Sequence, residues 1–243
     1  MTARNGPSLE RRKFGPPPKH GLYDPAFEKD SCGIGFVCDI KGRPGRGIVE
    51  DALGMNCSME HRGGIGYEKN TGDGAGILLG LPDRFLRRVA AEELGVDLPE
   101  RGRYGVGNVF LPADGEERKQ CLRLLEREID SVGQRLLGWR ELPIDPDGAD
   151  IGKAARAAMP HMVQLFVGSG SGGGQDGREN HALAADEFER KLYLIRKHAT
   201  HLLRGDESLA QRQLFYVCSL SSRVIIYKGM LTPDQMAPFF TDL

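Results

Sequence analysis

Asp30-Ser31-Cys32-Gly33-Ile34-Gly35-Phe36 sets a cysteine directly before two spaced glycines and an apolar alternation. Ile34, Phe36, Cys38 and Ile40 fall on one face and Gly33, Gly35, Val37 and Asp39 on the other, a period of two that predicts a strand over 32–40. Glycine weakens a strand unless something must approach the backbone there. Gly33 and Gly35 therefore predict a cleft beside the strand, with Cys32 at its mouth.

Upstream, residues 1–31 carry Pro7, Pro16, Pro17, Pro18 and Pro25, the basic cluster Arg11, Arg12 and Lys13, and no apolar run. Consecutive prolines impose an extended backbone that neither helix nor sheet accepts, so this reads as a leader. A secretory signal is excluded, because prolines stand where an apolar region should follow the basic residues. Cleavage between Ser31 and Cys32 would place a thiol and a free α-amine on one residue. The amine titrates near ~7.7–8.0 and the thiol near ~8.5, so at neutral pH the amine can take the thiol proton as attack begins. An internal Cys32 has no such base, and the competing reading is a small apolar residue on a strand.

The 243 residues, 40% hydrophobic and 28% charged, fit one sizeable soluble domain. A formal net charge of −1 offers nothing to nucleic acid or a membrane surface, and no run approaches the ~18 apolar residues of a spanning helix. Five irregularly spaced cysteines argue for reduced thiols in a cytoplasmic compartment.

Along the chain, Ile48, Val49, Ala52, Leu53, Cys57 and Met59 predict a buried helix, with Cys57 in the core, ending at His61-Arg62-Gly63-Gly64. Taken alone, Arg62 reads as a solvated loop arginine and His61 as a packed or capping residue rather than a metal ligand. Thr71-Gly72-Asp73-Gly74-Ala75-Gly76 lacks the Lys-Ser/Thr of a phosphate loop and reads as a tight turn into a strand at 77–81. Pro82 and Asp83 then open a helix closed by Gly95. A strand over 104–111 precedes a helix started by Asp114 and Glu117, with Cys121, Leu122, Leu125, Ile129 and Val132 inward. Strands follow at 134–142 and 161–167, separated by a helical patch over 153–158, and Trp139 reads as a core anchor. The Gly-Ser run of 168–174 is a flexible loop by composition. After it, Phe188, Leu192, Ile195, Ala199 and Leu202 predict a long helix whose His198 and His201 are structural. Strands at 214–220 and 224–228 and a helix begun by Thr232-Pro233-Asp234-Gln235 complete the reading.

Taken together, Gly21-Leu22-Tyr23-Asp24-Pro25, Asp30 to Phe36, His61-Arg62-Gly63-Gly64, Thr71 to Ile77, Leu137-Gly138-Trp139-Arg140, Arg190 to Lys197 and Phe215 to Leu231 resemble, in order, the amino-terminal glutaminase domain of glutamate synthase large subunits. The resemblance implies a class II glutamine amidotransferase of α+β class, an N-terminal-nucleophile hydrolase folded as an αββα sandwich. It implies that a propeptide of residues 1–31 precedes a domain over 32–243, and that Cys32, freed by cleavage, attacks the side-chain amide of glutamine. It further implies that Arg62 and Gly63 lie beside this cysteine and help hold the substrate pocket. Ser31 departs from the alanine expected before the cysteine but is still small. By the same resemblance the biological reaction is glutamate synthesis, with FMN and an iron–sulfur cluster elsewhere in the large subunit and a small electron-delivering subunit as partner. Neither cofactor is expected within this chain.

The family's Arg-Phe-Ser-Thr-Asn segment, which holds the substrate carboxylate, its Asn-Gly oxyanion hole and a later aspartate have no counterpart after Thr232; the one Asn-Gly pair is Asn5-Gly6. Loss of an oxyanion donor costs ~10²–10³ in turnover. The expectation is therefore a domain incomplete at its C-terminus and, alone, weak or inactive. The alternative is a non-catalytic fragment or partner-binding module.

Overall fold

In the computed structural model, residues 18–21, 24, 33–170 and 178–243 are described. Cys32, most of residues 1–31 and residues 171–177 lie outside them, so the expectations for those residues do too. Gly33–Leu243 form one unit.

Two antiparallel sheets organise this unit. In the larger, the strand order is β3 (Arg135–Glu141), β4 (His161–Gly168), β2 (Tyr104–Leu111), β5 (Tyr216–Val217); in the smaller, β1 (Ala75–Gly80) pairs with β6 (Val224–Gly229). The alternation along β2 and β4 determines what covers each face. Val109, Leu111, Val163, Leu165 and Val167 point to one side, where they join Cys121, Leu125 and Ile129 of α3 (Gly115–Ser131) and the buried stripe of α5 (Arg178–Gly205). Tyr104, Val106, Met162 and Phe166 point to the other, where they meet Ile77, Ile225 and Tyr227 of the small sheet and Leu86 and Val89 of α2 (Asp83–Val89). Period-two burial on both faces is what a sheet covered on two sides requires.

Polar groups sit inside the interface between the sheets and are paired there. Asn108 donates to the Ile226 carbonyl at 3.0 Å, and Gln164 donates to Asn108 at 3.1 Å. Arg140, its side chain 4% exposed, donates to Gln164, to both oxygens of Glu93 at 2.7 Å, and to Asp242 at 2.5 and 3.3 Å. Buried polar groups so satisfied fix how the sheets align.

Most of the predicted elements are present. The Asp114 side chain accepts from the backbone N–H of Glu116 and Glu117, capping α3. Glu117 does not reach back to complete the box; its carboxylate accepts from Ala210 and Gln211 instead. A capping box at Thr232 and Gln235 starts the 3₁₀ turn Pro233–Gln235 that leads into α6 (Met236–Phe239). Trp139 is half-buried against the α3 core and donates to Glu126 at 3.0 Å.

Four expectations are corrected. Residues 33–39 are not a strand: no described segment pairs with them, and Ile34, Phe36 and Ile40 are 94, 87 and 99% exposed. Period-two patterning marks a strand only where a partner supplies hydrogen bonds and a covering layer. The predicted buried helix exists as α1 (Arg46–Ser58) but buries no residue fully; Val49, Ala52 and Leu53 pack against the core, and Cys57 is exposed because Asn56 takes the inward place in that turn. On α5 the stripe ends on Leu203 rather than Leu202, which is 46% exposed; spacings of three and four both satisfy a helix, and only the sheet decides between them. Of the last two strands the first shrinks to Tyr216–Val217 while the second runs Val224–Gly229, and they belong to different sheets, so Ser221–Arg223 carry the chain from one layer to the other.

Candidate active site

The first described residues after Cys32 lie along α1. A side chain at Gly33 would have its Cβ 3.1 Å from Met59 Sδ and 3.3 Å from Arg62 Cβ, and one at Gly35 would have it 2.9 Å from Met55 Cε. The glycines thus permit the close approach that the sequence implied, but α1 and the 3₁₀ turn Glu60–Arg62 fill the space where a cleft was expected. The segment then turns at Asp39, whose carboxylate accepts from the Lys41 and Arg43 backbone and pairs with the Arg43 guanidinium. Gly42, at φ +68°, completes that turn. Arg43 holds the Asp39 carboxyl below the usual range.

Arg62 closes its turn by donating its backbone N–H to Met59, and Gly63 donates to Glu60. Two motifs that are separate in the sequence then meet. Asp73 N–H donates to Gly64 at 3.0 Å, Ile65 bridges Gly72, and Gly66 donates to the Thr71 carbonyl at 2.8 Å. Asp73 lies against Gly64 so closely that any side chain at 64 would meet its carboxylate. The His-Arg-Gly-Gly and Thr-Gly-Asp-Gly stretches are two arms of one loop. Asp73, which sequence reasoning passed over, braces the arm bearing Arg62 and Gly63; nothing in the pattern of residues marks it.

Further contacts fix this loop from below. Glu68 accepts from Thr71 Oγ1 and from Ala154 N–H, both at 2.9 Å, and the second bond is the main reason its carboxyl lies below the ordinary value. Gln235 donates to the carbonyls of Asn70 and Asp150 at 3.1 and 3.2 Å, and Gly152 N–H donates to Asn70 at 2.8 Å. Gly72 packs against the Leu231–Thr232 backbone with no room for a side chain.

Three of the described thiols are held in their protonated form. Burial pushes Cys121 up to about 11 and Cys218 up to about 12, and raises exposed Cys57 with help from Asp234 and Glu60. His61 is exposed, and His198 lies 3.6 Å from Glu128. Among the described residues no group of three His, Cys, Asp or Glu could hold a metal ion, and no helix is long and apolar enough to cross a membrane.

Residues 32–243 match the family model of class II glutamine amidotransferases. The chain is 41% identical over 227 residues to the glutamate synthase [NADPH] large chain of Bacillus subtilis, covering 93% of this chain and 14% of that one. It is 37% identical over 227 residues to the glutamate synthase [NADH] of Schizosaccharomyces pombe (93% and 10%) and 36% identical over 224 residues to the glutamate synthase [NADPH] large chain of Azospirillum brasilense (91% and 14%). The chain therefore spans 14% or less of the length of these relatives. With residues 32–243 of its 243 matched, the chain belongs to the class II glutamine amidotransferases.

Proposed function

We propose that this chain carries the glutamine-hydrolysing site of a glutamate synthase, with Cys32 as nucleophile. The observation that carries the reading is the seating of Gly33 against Met59 and Arg62, which brings the Arg62-Gly63 turn alongside the residue that follows the cysteine. The family match, which starts at residue 32, and the layering of α3 and α5, two sheets and α1 support an N-terminal-nucleophile αββα sandwich.

In this mechanism residues 1–31 are removed and the freed α-amine of Cys32 takes the thiol proton. Sulfur attacks the side-chain amide carbon of glutamine, and the tetrahedral intermediate expels ammonia, protonated by the same amine. Water then hydrolyses the glutamyl thioester, so glutamine and water give glutamate and ammonia. Arg62 and Gly63 shape the pocket, and Asp73 positions them through Gly64. The ammonia would serve glutamate synthesis elsewhere in the enzyme, where FMN and an iron–sulfur cluster supply redox chemistry and a small subunit delivers electrons. The described residues offer no ligand set for such a cluster, and no step here runs through it. A cytoplasmic location completes the reading.

The test is mass spectrometry of the purified protein before and after 6-diazo-5-oxo-norleucine, a thiol-directed glutamine analogue. The reading expects a mature terminus at Cys32 and one adduct on it, lost in Cys32→Ala. An intact leader with no adduct at position 32 refutes it and favours a binding module.

A further inference from the structure

The stretch Arg190–Lys197 belongs to none of the machinery above. Its inward side chains are the α5 stripe Phe188, Leu192, Ile195, Ala199 and Leu203. On the opposite face Arg190, Tyr193, Leu194, Lys197, His201 and Leu202 are exposed, at helical spacing; Tyr193, Leu194 and Leu202 are 52, 40 and 46% exposed. The Arg196 guanidinium lies 5.6 Å from the centre of the Tyr193 ring and holds it in place.

Along α5 itself the exposed charge is one-sided from Phe188 onward. The carboxylates at the start of the described part of the helix are engaged, Glu187 with Lys191 at 3.1 Å and Asp186 with Arg223. Glu189 is turned inward to Ser221 and Ser222. From Phe188 to Gly205 no carboxylate is exposed, and Arg190 and Lys197 have no ion-pair partner among the described residues. The neighbouring α3 carries both signs, with Arg123, Arg127, Glu116 and Asp130 exposed and Glu128 lying 3.6 Å from His198 of α5, so the one-sided charge belongs to α5 alone. In a chain of net charge −1 this clustering of cations is local.

We propose that this face of α5 docks a protein surface that carries carboxylates around an apolar patch. Tyr193 and Leu194 enter the apolar patch, and Arg190 and Lys197 pair with the carboxylates at its rim. Tyrosine and arginine supply most of the energy at such contacts, and complementary charge sets their specificity. A phosphate backbone would leave the three apolar side chains without a role. A bilayer needs a wide apolar helix face, and the wide face of α5 is already buried on the sheet.

The test uses the purified protein and a fluorescein-labelled helical peptide of repeating Leu-Leu-Glu-Glu, read by anisotropy at low and high salt. A Leu-Leu-Lys-Lys peptide, a 20-base-pair DNA duplex and phosphatidylserine vesicles serve as competing probes. The expected result is binding of the acidic peptide at least about tenfold tighter than of the basic one and weakened by salt. The R190E/K197E double variant should lose about tenfold, and Tyr193→Ala about threefold at unchanged melting temperature. Equal binding of both peptides, unaltered binding by the variants, or tighter binding of duplex or vesicles overturns the proposal. Glutamine-analogue labelling at position 32 is independent of the outcome, so the two readings fail separately.

Discussion

Alanine at Gly72 and alanine at Gly35 would both be crowded, yet the structure predicts consequences of very different size. At Gly72 the new Cβ falls 2.5 Å from Thr232 N and nearer still to the Leu231 carbonyl, all of it backbone. That backbone is held by the capping box that starts at Thr232, so relief means moving the loop by about 1 Å to approach the ~3.5 Å contact optimum. Such overpacking costs ~1–3 kcal/mol, and rigid surroundings on both sides place Gly72→Ala near ~3 kcal/mol. At Gly35 the Cβ meets only the thioether end of Met55. A rotamer change there costs ~0.5–1.5 kcal/mol, offset by ~0.4–1 kcal/mol from the stiffer unfolded chain. For a domain of this size 1 kcal/mol shifts Tm by ~2–4 °C, so thermal unfolding followed by circular dichroism should fall by ~6–12 °C for Gly72→Ala and by under ~4 °C for Gly35→Ala. Equal shifts, or a Gly72→Ala protein as stable as the parent, would show that the loop is not pinned to residues 231–235 as described.

Arg140→Leu should destabilise by about 3 kcal/mol in urea unfolding at pH 7, because it strands the nearly buried Asp242 carboxylate; half-exposed Glu93 adds little. Arg140 holds the Glu93 carboxyl below its usual value, so the small share of the stabilisation that comes from Glu93 is present above the unfolded glutamate range and lost as pH falls through its folded pKa. The difference between parent and variant should therefore narrow slightly, by the small share that Glu93 contributes, as pH falls below the unfolded glutamate range. Asp114→Ala removes two accepted N–H bonds at the start of α3 and should cost about 1 kcal/mol by the same assay. Titration with Ellman's reagent at pH 8 should modify Cys38 and Cys57 in the folded protein, whereas Cys121 and Cys218 should react only after denaturation.

What the sequence made legible was whatever local rules decide. Asp114, Thr232 with Pro233, and Gly95 mark helix ends because capping is a matter of a few neighbouring residues, and each marks one in the structure. The strand over 104–111 is found because both its faces are apolar and it is buried on both. Residues 33–39 show the opposite case: their alternation is real, but pairing is decided by other segments, which a periodicity cannot see. The same is true of Cys57 and Asn56, whose exposures depend on how α1 is rolled against the sheet. At the site, Arg62 and Gly63 stand out because they form part of a recognisable motif, whereas Asp73 acts through its contact with Gly64 across a loop and carries no local signature.

The passage of Ser221–Arg223 between layers has a temporal side. Ala75 on β1 finds its hydrogen-bonding partner at Gly229, while the four-stranded sheet acquires its β2–β4 and β3–β4 ladders from segments much nearer in the chain. During synthesis from the amino end, the larger layer can assemble on α3 while β1 still waits as a bare apolar edge, since its mate emerges last among the strands. The β1–β6 ladder, which spans the longest stretch of chain, should therefore pair after those of the larger sheet. A ribosome pause placed before Val224 would lengthen the interval in which that edge is open to association with other chains.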